Sequence, residues 1–227
     1  MIASPTAAKN RTPDFSQPVA LFLDANVLFS DWQRALWLSL AETLPHVGLY
    51  DSDVVQDECF RNLIKLERLT VQGAAMAKAH WTQQEAVKNV SAFDAYFPDV
   101  RSVHEKDRHV AAAALKLKHS LPGCQIVLLT WNIKDFPNPP LRRLGIHRAT
   151  PDDCLKALLL QTSVVGQQVL EQATVKARQA FELLGESASV FQSRASGFPS
   201  QPEQWPEFLH RNWFKQSAKA FAAALSA

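Results

Sequence analysis

No run of about eighteen apolar residues occurs in this 227-residue chain, so a membrane-spanning helix is not expected. The first residues, Met1-Ile2-Ala3-Ser4-Pro5-Thr6, lack the basic start and apolar stretch of a secretory signal. Cysteine is scarce. Cys59, Cys124 and Cys154 form no metal-ligand spacing, and their odd number fits a reducing compartment. A cytoplasmic location is the expectation. A net charge of +2 gives no global field that would announce a nucleic-acid binder, so any basic surface must be local. No internal repeat is present. The hydrophobic share (47%) and charged share (20%) are those of an ordinary globular chain, long enough for one large domain or one with a small appendage.

Residues 1–18 are rich in Ser, Pro, Thr and Asn without apolar periodicity and read as a loose leader. From Val19 a short apolar run predicts a buried strand. Ser30 offers an N-cap to a helix with Trp32, Leu36 and Leu40 at helical spacing, stopping near Pro45. Val47 to Tyr50 suit a second strand. Ser52 caps a helix whose buried side is predicted to be Val54, Val55, Cys59 and Leu63. The Ala-, Lys-, Gln- and Glu-rich stretch from about Gly73 to Val90 predicts one long helix, and residues 106–118 another. The run 126–130 is a second strongly buried strand, and Ile146-His147-Arg148-Ala149 a weaker one. Strands alternating with helices imply an α/β fold with a mostly parallel central sheet.

Thr150-Pro151-Asp152-Asp153 is a helix opening, after which strand signals cease. Val165, Val169, Ala173, Ala180 and Leu184 repeat at helical spacing up to Gly185. A polar stretch reaches about Pro206. Leu209, Phe214, Ala218, Phe221 and Leu225 then mark a last amphipathic helix or pair of helices. The division expected is a domain over 19–150 and an all-helical extension over 151–227.

Four acidic residues stand at places that such a fold brings to one pocket. Asp24 ends the first apolar run, Glu58 lies in the helix after Ser52, Asp107 opens the helix before Ala111–Ala114, and Asp135 closes the loop after the 126–130 strand. Sites of parallel sheets lie beyond the carboxyl ends of their strands. Carboxylates gathered there suit a divalent metal that cuts phosphodiesters. At an effective dielectric of about 20, two carboxylates about 4 Å apart repel by roughly 4 kcal/mol, so such a group needs cations or protons. Arg61, Lys65 and Arg68 follow Glu58 at steps of three, four and three, one sector of a helix, and could hold RNA phosphates. A solvated face with an ion pair to Glu67 is the alternative.

The combination resembles a PIN-domain nuclease over roughly residues 19–150. The features that carry the resemblance are the apolar strand with Asp24-Ala25-Asn26; Glu58 with Arg61-Asn62-Leu63; Asp107-Arg108-His109-Val110-Ala111-Ala112-Ala113; and Thr130-Trp131-Asn132-Ile133-Lys134-Asp135-Phe136. The last is similar to the Thr-x-Asn-x-x-Asp-Phe ending of VapC-like toxins. Some relatives carry Asp where this chain has Asn132, leaving four acids rather than five. The resemblance implies a Mg²⁺- or Mn²⁺-dependent endoribonuclease that is the toxin of a toxin–antitoxin pair. Asp24, Glu58, Asp107 and Asp135 would be direct or water-mediated ligands, one of them able to act as base. Asn26, Thr130 and Asn132 would orient carboxylates or waters from behind. It further implies an RNA substrate, a small antitoxin that blocks the pocket with a basic side chain, and dimerisation. The alternatives are a PIN module that binds RNA or protein without cutting, and a housekeeping RNA-processing nuclease.

A phosphohydrolase of the haloacid-dehalogenase kind needs a second Asp at position 26, occupied by Asn26, and a later acidic motif that does not follow Thr130. That reading is rejected. Of the remaining side chains, Trp131 is expected to pack over the sheet end, His109 to be a structural hydrogen-bonder, and Trp205 and Trp213 to be core. His104 and His119 have no evident partners.

Overall fold

The strand β1 (Val19–Leu23) consists of apolar residues alone, and every one of them is buried. A strand covered on both faces by helices needs that composition, because neither face meets water. In this computed structural model, which describes residues 13–183, 198–199 and 201–225, β1 is the middle of a five-stranded sheet. Its companions are β2 (Val47–Asp51), β3 (Val87–Asn89), β4 (Gln125–Leu129) and β5 (Ile146–Ala149), in the order β3-β2-β1-β4-β5. Every pairing is parallel, with Val19 opposite both Val47 and Gln125. The strands therefore all end on one edge, where Asp24, Ser52 and Thr130 directly follow β1, β2 and β4.

Side-chain caps start most of the helices. Ser30 accepts a hydrogen bond from Gln33 N to begin α2 (Asp31–Thr43), after the four-residue α1 (Ala25–Leu28). Ser52 does the same with Val55 N for α3 (Asp53–Lys65), Thr70 with Gly73 N for α4 (Val71–Thr82), and Thr150 with Asp153 N for α7 (Pro151–Gln161). Each cap satisfies an amide that the helix leaves open. Helix α5 (Arg108–Ser120) lays Ala111–Ala114 against the sheet, and these alanines are completely inaccessible. Their missing side-chain bulk lets the helix approach β4. The short α6 (Asn138–Arg143) leads into β5. Beyond α7 lie α8 (Ser163–Leu183), α9 (Trp205–Arg211) and α10 (Lys215–Leu225).

Several expectations change. The long helix expected from Gly73 to Val90 stops at Thr82, and Val87–Asn89 is the edge strand β3, paired with Leu49–Asp51. Val54 is exposed; Gln56 and Phe60 join Val55, Cys59 and Leu63 on the buried side of α3. Helix α3 ends before Arg68, because Glu67 adopts a left-handed backbone with φ of 54°. The Arg68 and Glu67 amides donate back to Leu63 O and Ile64 O, the two reversed bonds of a Schellman stop. Of the two forms expected for the last amphipathic stretch, the structure has the pair of helices. Trp205 is core but Trp213 is exposed, as is Leu225. Leu184 and Gly185 lie outside the described residues.

The core runs without a break across residue 150. Helix α8 packs along α2, and α10 packs against α7. Trp32 of α2 meets Phe208 and Phe214 edge-on, at ring distances of 5.1 and 5.2 Å. Within the leader, residues 1–12 are outside the described residues, but from Pro13 the chain is held. Phe15 is buried, its amide donates to Gln161 Oε1 at 2.8 Å, and its carbonyl meets His46 Nε2 at 2.6 Å. Among the described residues no helix is long and apolar enough to cross a membrane.

Asp152 ties α7 to α10. Its buried carboxylate accepts from Gln216 N, Ser217 N and Ser217 Oγ, at 2.9, 2.8 and 2.7 Å. Asp152→Ala leaves two amides at the start of α10 unpaired, while Ser217 Oγ keeps the Asp152 carbonyl at 3.0 Å, and is expected to cost about 3 kcal/mol of unfolding free energy. Urea denaturation of both proteins, followed by tryptophan fluorescence, checks this.

Candidate metal centre

Asp24 is carried directly off the end of β1. Its amide still donates to Leu129 O as the sheet ends, and its extended backbone makes it the N-cap of α1. Oδ1 accepts from Ala25 N at 2.7 Å; Oδ2 accepts from Asn26 Nδ2 at 2.5 Å and Thr130 Oγ1 at 2.6 Å. Thr130 Oγ1 in turn accepts from Asn26 Nδ2 and Asn132 N, so its one donor and two lone pairs are all used. Asn26 Oδ1 accepts from Trp131 N, which completes the Asn26 amide. This closed network fixes Asp24 Oδ2 and leaves free lone-pair capacity on Oδ1.

The other three acids reach the same place from α3, the start of α5 and the loop after β4. Asp107 sits in the one-turn segment Glu105–Asp107, and its amide donates to His104 O. His104 N donates to Asp135 O, which fastens this turn to the loop. Asn132 Nδ2 holds Asp135 Oδ2 at 2.7 Å. Glu58 faces His109, with Oε2 and Nε2 3.4 Å apart, a separation suited to an ion pair although the alignment falls short of a hydrogen bond.

The electrostatics link all four carboxylates. Burial raises the Asp24 carboxyl to about 6; Thr130 and the Ala25 amide oppose the rise, while the charges of Asp107 and Glu58 add to it. Asp107 is raised first by burial and then by Asp135 and Glu58, against the pull of His109 and His104. Among the described residues, none of the four has a lysine or arginine ion-pair partner. The group thus concentrates negative charge that, among the described residues, meets only the imidazoles of His104 and His109.

A divalent cation fits part of this donor set. One ligand atom from each of Asp107, Asp135 and His104 lies within 4.8 Å of the others, and neither Asp24 nor Glu58 joins that group. Carboxylate oxygens with an imidazole suit Mg²⁺ or Mn²⁺, the imidazole favouring the latter. His104 is the residue that the sequence did not single out. Its signal was its place three residues before Asp107, one helical turn away. His119 packs edge-on to Tyr96, away from the acids. Trp131 packs at the sheet end, donating through Nε1 to Gln33 Oε1 and meeting Phe214 edge-on at 5.5 Å. Arg61 and Lys65 are exposed on α3 with Glu58, whereas Arg68 lies beyond the helix stop, so the three do not form one helical stripe. No ion pair joins any of them to Glu67 among the described residues.

No family model matches the chain, and no curated protein or solved structure is significantly similar to it.

Asp51, at the end of β2, is a fifth acid, but its partners mark it as structural. Trp81 Nε1 donates to it at 2.7 Å and Gln56 Nε2 at 3.0 and 3.1 Å, which joins β2 to α3 and α4. Burial raises its carboxyl to about 6, against the ordinary 3.8. The folded chain therefore holds this proton more tightly than the unfolded one. The stabilisation is full below about pH 4 and is lost as pH rises through about 6. Asp51→Asn is expected to flatten this part of the stability profile, by at most about 3 kcal/mol between the two limits. Urea unfolding of wild type and variant at pH 4.5 and 7 measures the change in slope.

Proposed function

We propose that this chain is a metal-dependent endoribonuclease of the PIN type, acting as the toxin of a toxin–antitoxin pair. The observation that carries the reading is that Asp24, Glu58, Asp107 and Asp135, from four separate segments, lie near enough for Asp107 and Glu58 to act on Asp24 and for Asp135 and Glu58 to act on Asp107, with no lysine or arginine ion-paired to them among the described residues. Structural acids are normally paired or spread apart, because burying like charges together is unfavourable. A cluster with this much repulsion is instead suited to bind cations.

Asp107, Asp135 and His104 would hold Mg²⁺ or Mn²⁺, with Asp24 and Glu58 completing the set directly or through water. When bound, the cation supplies charge for the phosphate and acidifies water near neutral pH. The chain's own groups set the geometry. Thr130 and Asn26 hold Asp24, Asn132 holds Asp135, and His109 steadies Glu58. Asp24, with its raised affinity for a proton, is the acid best suited to take one from an attacking water, a transfer that leaves the ligand role to its neighbours. An antitoxin would silence such a site by inserting a basic side chain among the carboxylates.

Purified protein is expected to cut total RNA in Mn²⁺ or Mg²⁺ and not in EDTA, with Asp24→Asn and Asp107→Asn inactive. Thr130→Val, which frees Asp24 without removing a ligand, is expected to lower the rate about 10- to 100-fold. In thermal unfolding, Mn²⁺ should raise the wild-type midpoint and leave that of Asp24→Asn,Asp107→Asn unchanged. A protein that neither cuts RNA nor gains stability from either metal would refute the reading.

A further inference from the structure

Helix α9 closes as α3 does, with a Schellman stop. Phe214 N donates to Leu209 O at 2.9 Å and Trp213 N to His210 O at 3.3 Å. The residue between these bonds and the helix must adopt a left-handed backbone, and Trp213 does so with φ of 71°. Glycine is the usual occupant of that position, because a β-carbon there is crowded against the backbone. This chain instead places its bulkiest side chain there, and leaves it 71% exposed. Neither packing nor backbone geometry benefits from that choice. Strained residues of this kind cluster where function requires them.

The surroundings of Trp213 are those of a strand-binding surface. Lys215 Nζ lies 5.9 Å over the indole. Arg211 and Asn212, which precede Trp213, line a groove of about 540 Å³ together with Phe29, Leu63 and Arg68. Glu207 reaches Arg211 at 3.8 Å, but that pair is exposed and offsets little of the charge. None of the four clustered acids lines the groove, whose one carboxylate, Asp31, is paired with Arg34, yet both elements that carry Asp24 and Glu58 continue into its wall. Phe29 and Leu63 each lie five residues further on, about 8 Å along a helix. Phe214, next to Trp213, meets Trp131, whose amide orients Asn26 behind Asp24.

We infer that Trp213 is a stacking platform for an unpaired base of the RNA substrate, with Lys215, Arg211 and Arg68 holding the flanking phosphates. The inference rests on the nuclease reading for the nature of the ligand, but binding tests it without cleavage. Every base offers a π-face, so the platform selects single-stranded over duplex RNA without selecting sequence. The cations alone would bind both. The aromatic ring is what separates the two.

The experiment is fluorescence anisotropy of a labelled, mixed-sequence single-stranded RNA and of the same RNA as a blunt duplex, in EDTA. Wild type, Trp213→Gly and Trp213→Phe are compared, each with its thermal midpoint. Trp213→Gly is expected to weaken single-strand binding about tenfold or more, leave duplex binding unchanged, and hold or raise the midpoint, since glycine suits the backbone there. Trp213→Phe should retain most of the binding. A purely structural tryptophan would give the opposite pattern, a lower midpoint with unchanged affinity, and would overturn the inference. So would unchanged RNA binding accompanied by loss of a co-purifying protein, which would make this face a protein contact. If wild type binds single strands through Trp213 but cuts nothing in Mn²⁺, the platform stands and the nuclease reading falls. If it cuts and Trp213→Gly binds normally, the reverse holds.

Discussion

The mutual repulsion of four carboxylates at one edge of the sheet is the constraint around which the neighbouring polar structure is arranged. Asp24 cannot relax away from it, because its Oδ2 is held by Asn26 and Thr130 and its backbone is still bonded to β4. Those holders are themselves fully used, so the network offers no second arrangement at small cost. The alanine face of α5 has a related role. By sitting close on β4 it delivers Asp107, at its first turn, to the same edge that receives Asp24.

The helices beyond residue 150 take part in this arrangement. Phe214 presses on Trp131 and Trp32, and Trp131 sits inside the hydrogen-bond chain that positions Asn26. The same aromatic cluster therefore supports the acidic edge and presents the α9–α10 turn beside it. Asp152 of α7 and Trp32 of α2 both hold that turn in place. Residues 13–18 add a third tie through Phe15 and Gln161.

Much of this was legible in the sequence because its signals are local. An apolar run followed by Asp24, and another followed by Thr130, announces a buried parallel strand and what stands at its end. The caps Ser30, Ser52 and Thr150 were equally plain. Two misses share one cause. Arg68 was assigned to a helix, and Trp213 to the core, because the stops at Glu67 and Trp213 use the left-handed backbone without the glycine that normally marks it. Strand β3 was absorbed into a helix because three residues carry little periodicity, and only pairing with β2 makes them a strand. His104 has no signature of its own; it becomes a possible ligand only when its turn is fastened to the Asp135 loop.

The distance in sequence between Asp24 and Thr130 also governs when the site comes into being. Their hydrogen bond spans 106 residues, and no shorter-range contact replaces it. A chain emerging during synthesis holds its first acid for roughly ten seconds before the strand that positions it exists. The aromatic support from Phe208 and Phe214 arrives later still, 78 and 84 residues after Thr130. Parallel topology thus acts as a timer: the charged edge assembles only once β4 and the loop carrying Asp135 have followed Asp24 by more than 100 residues.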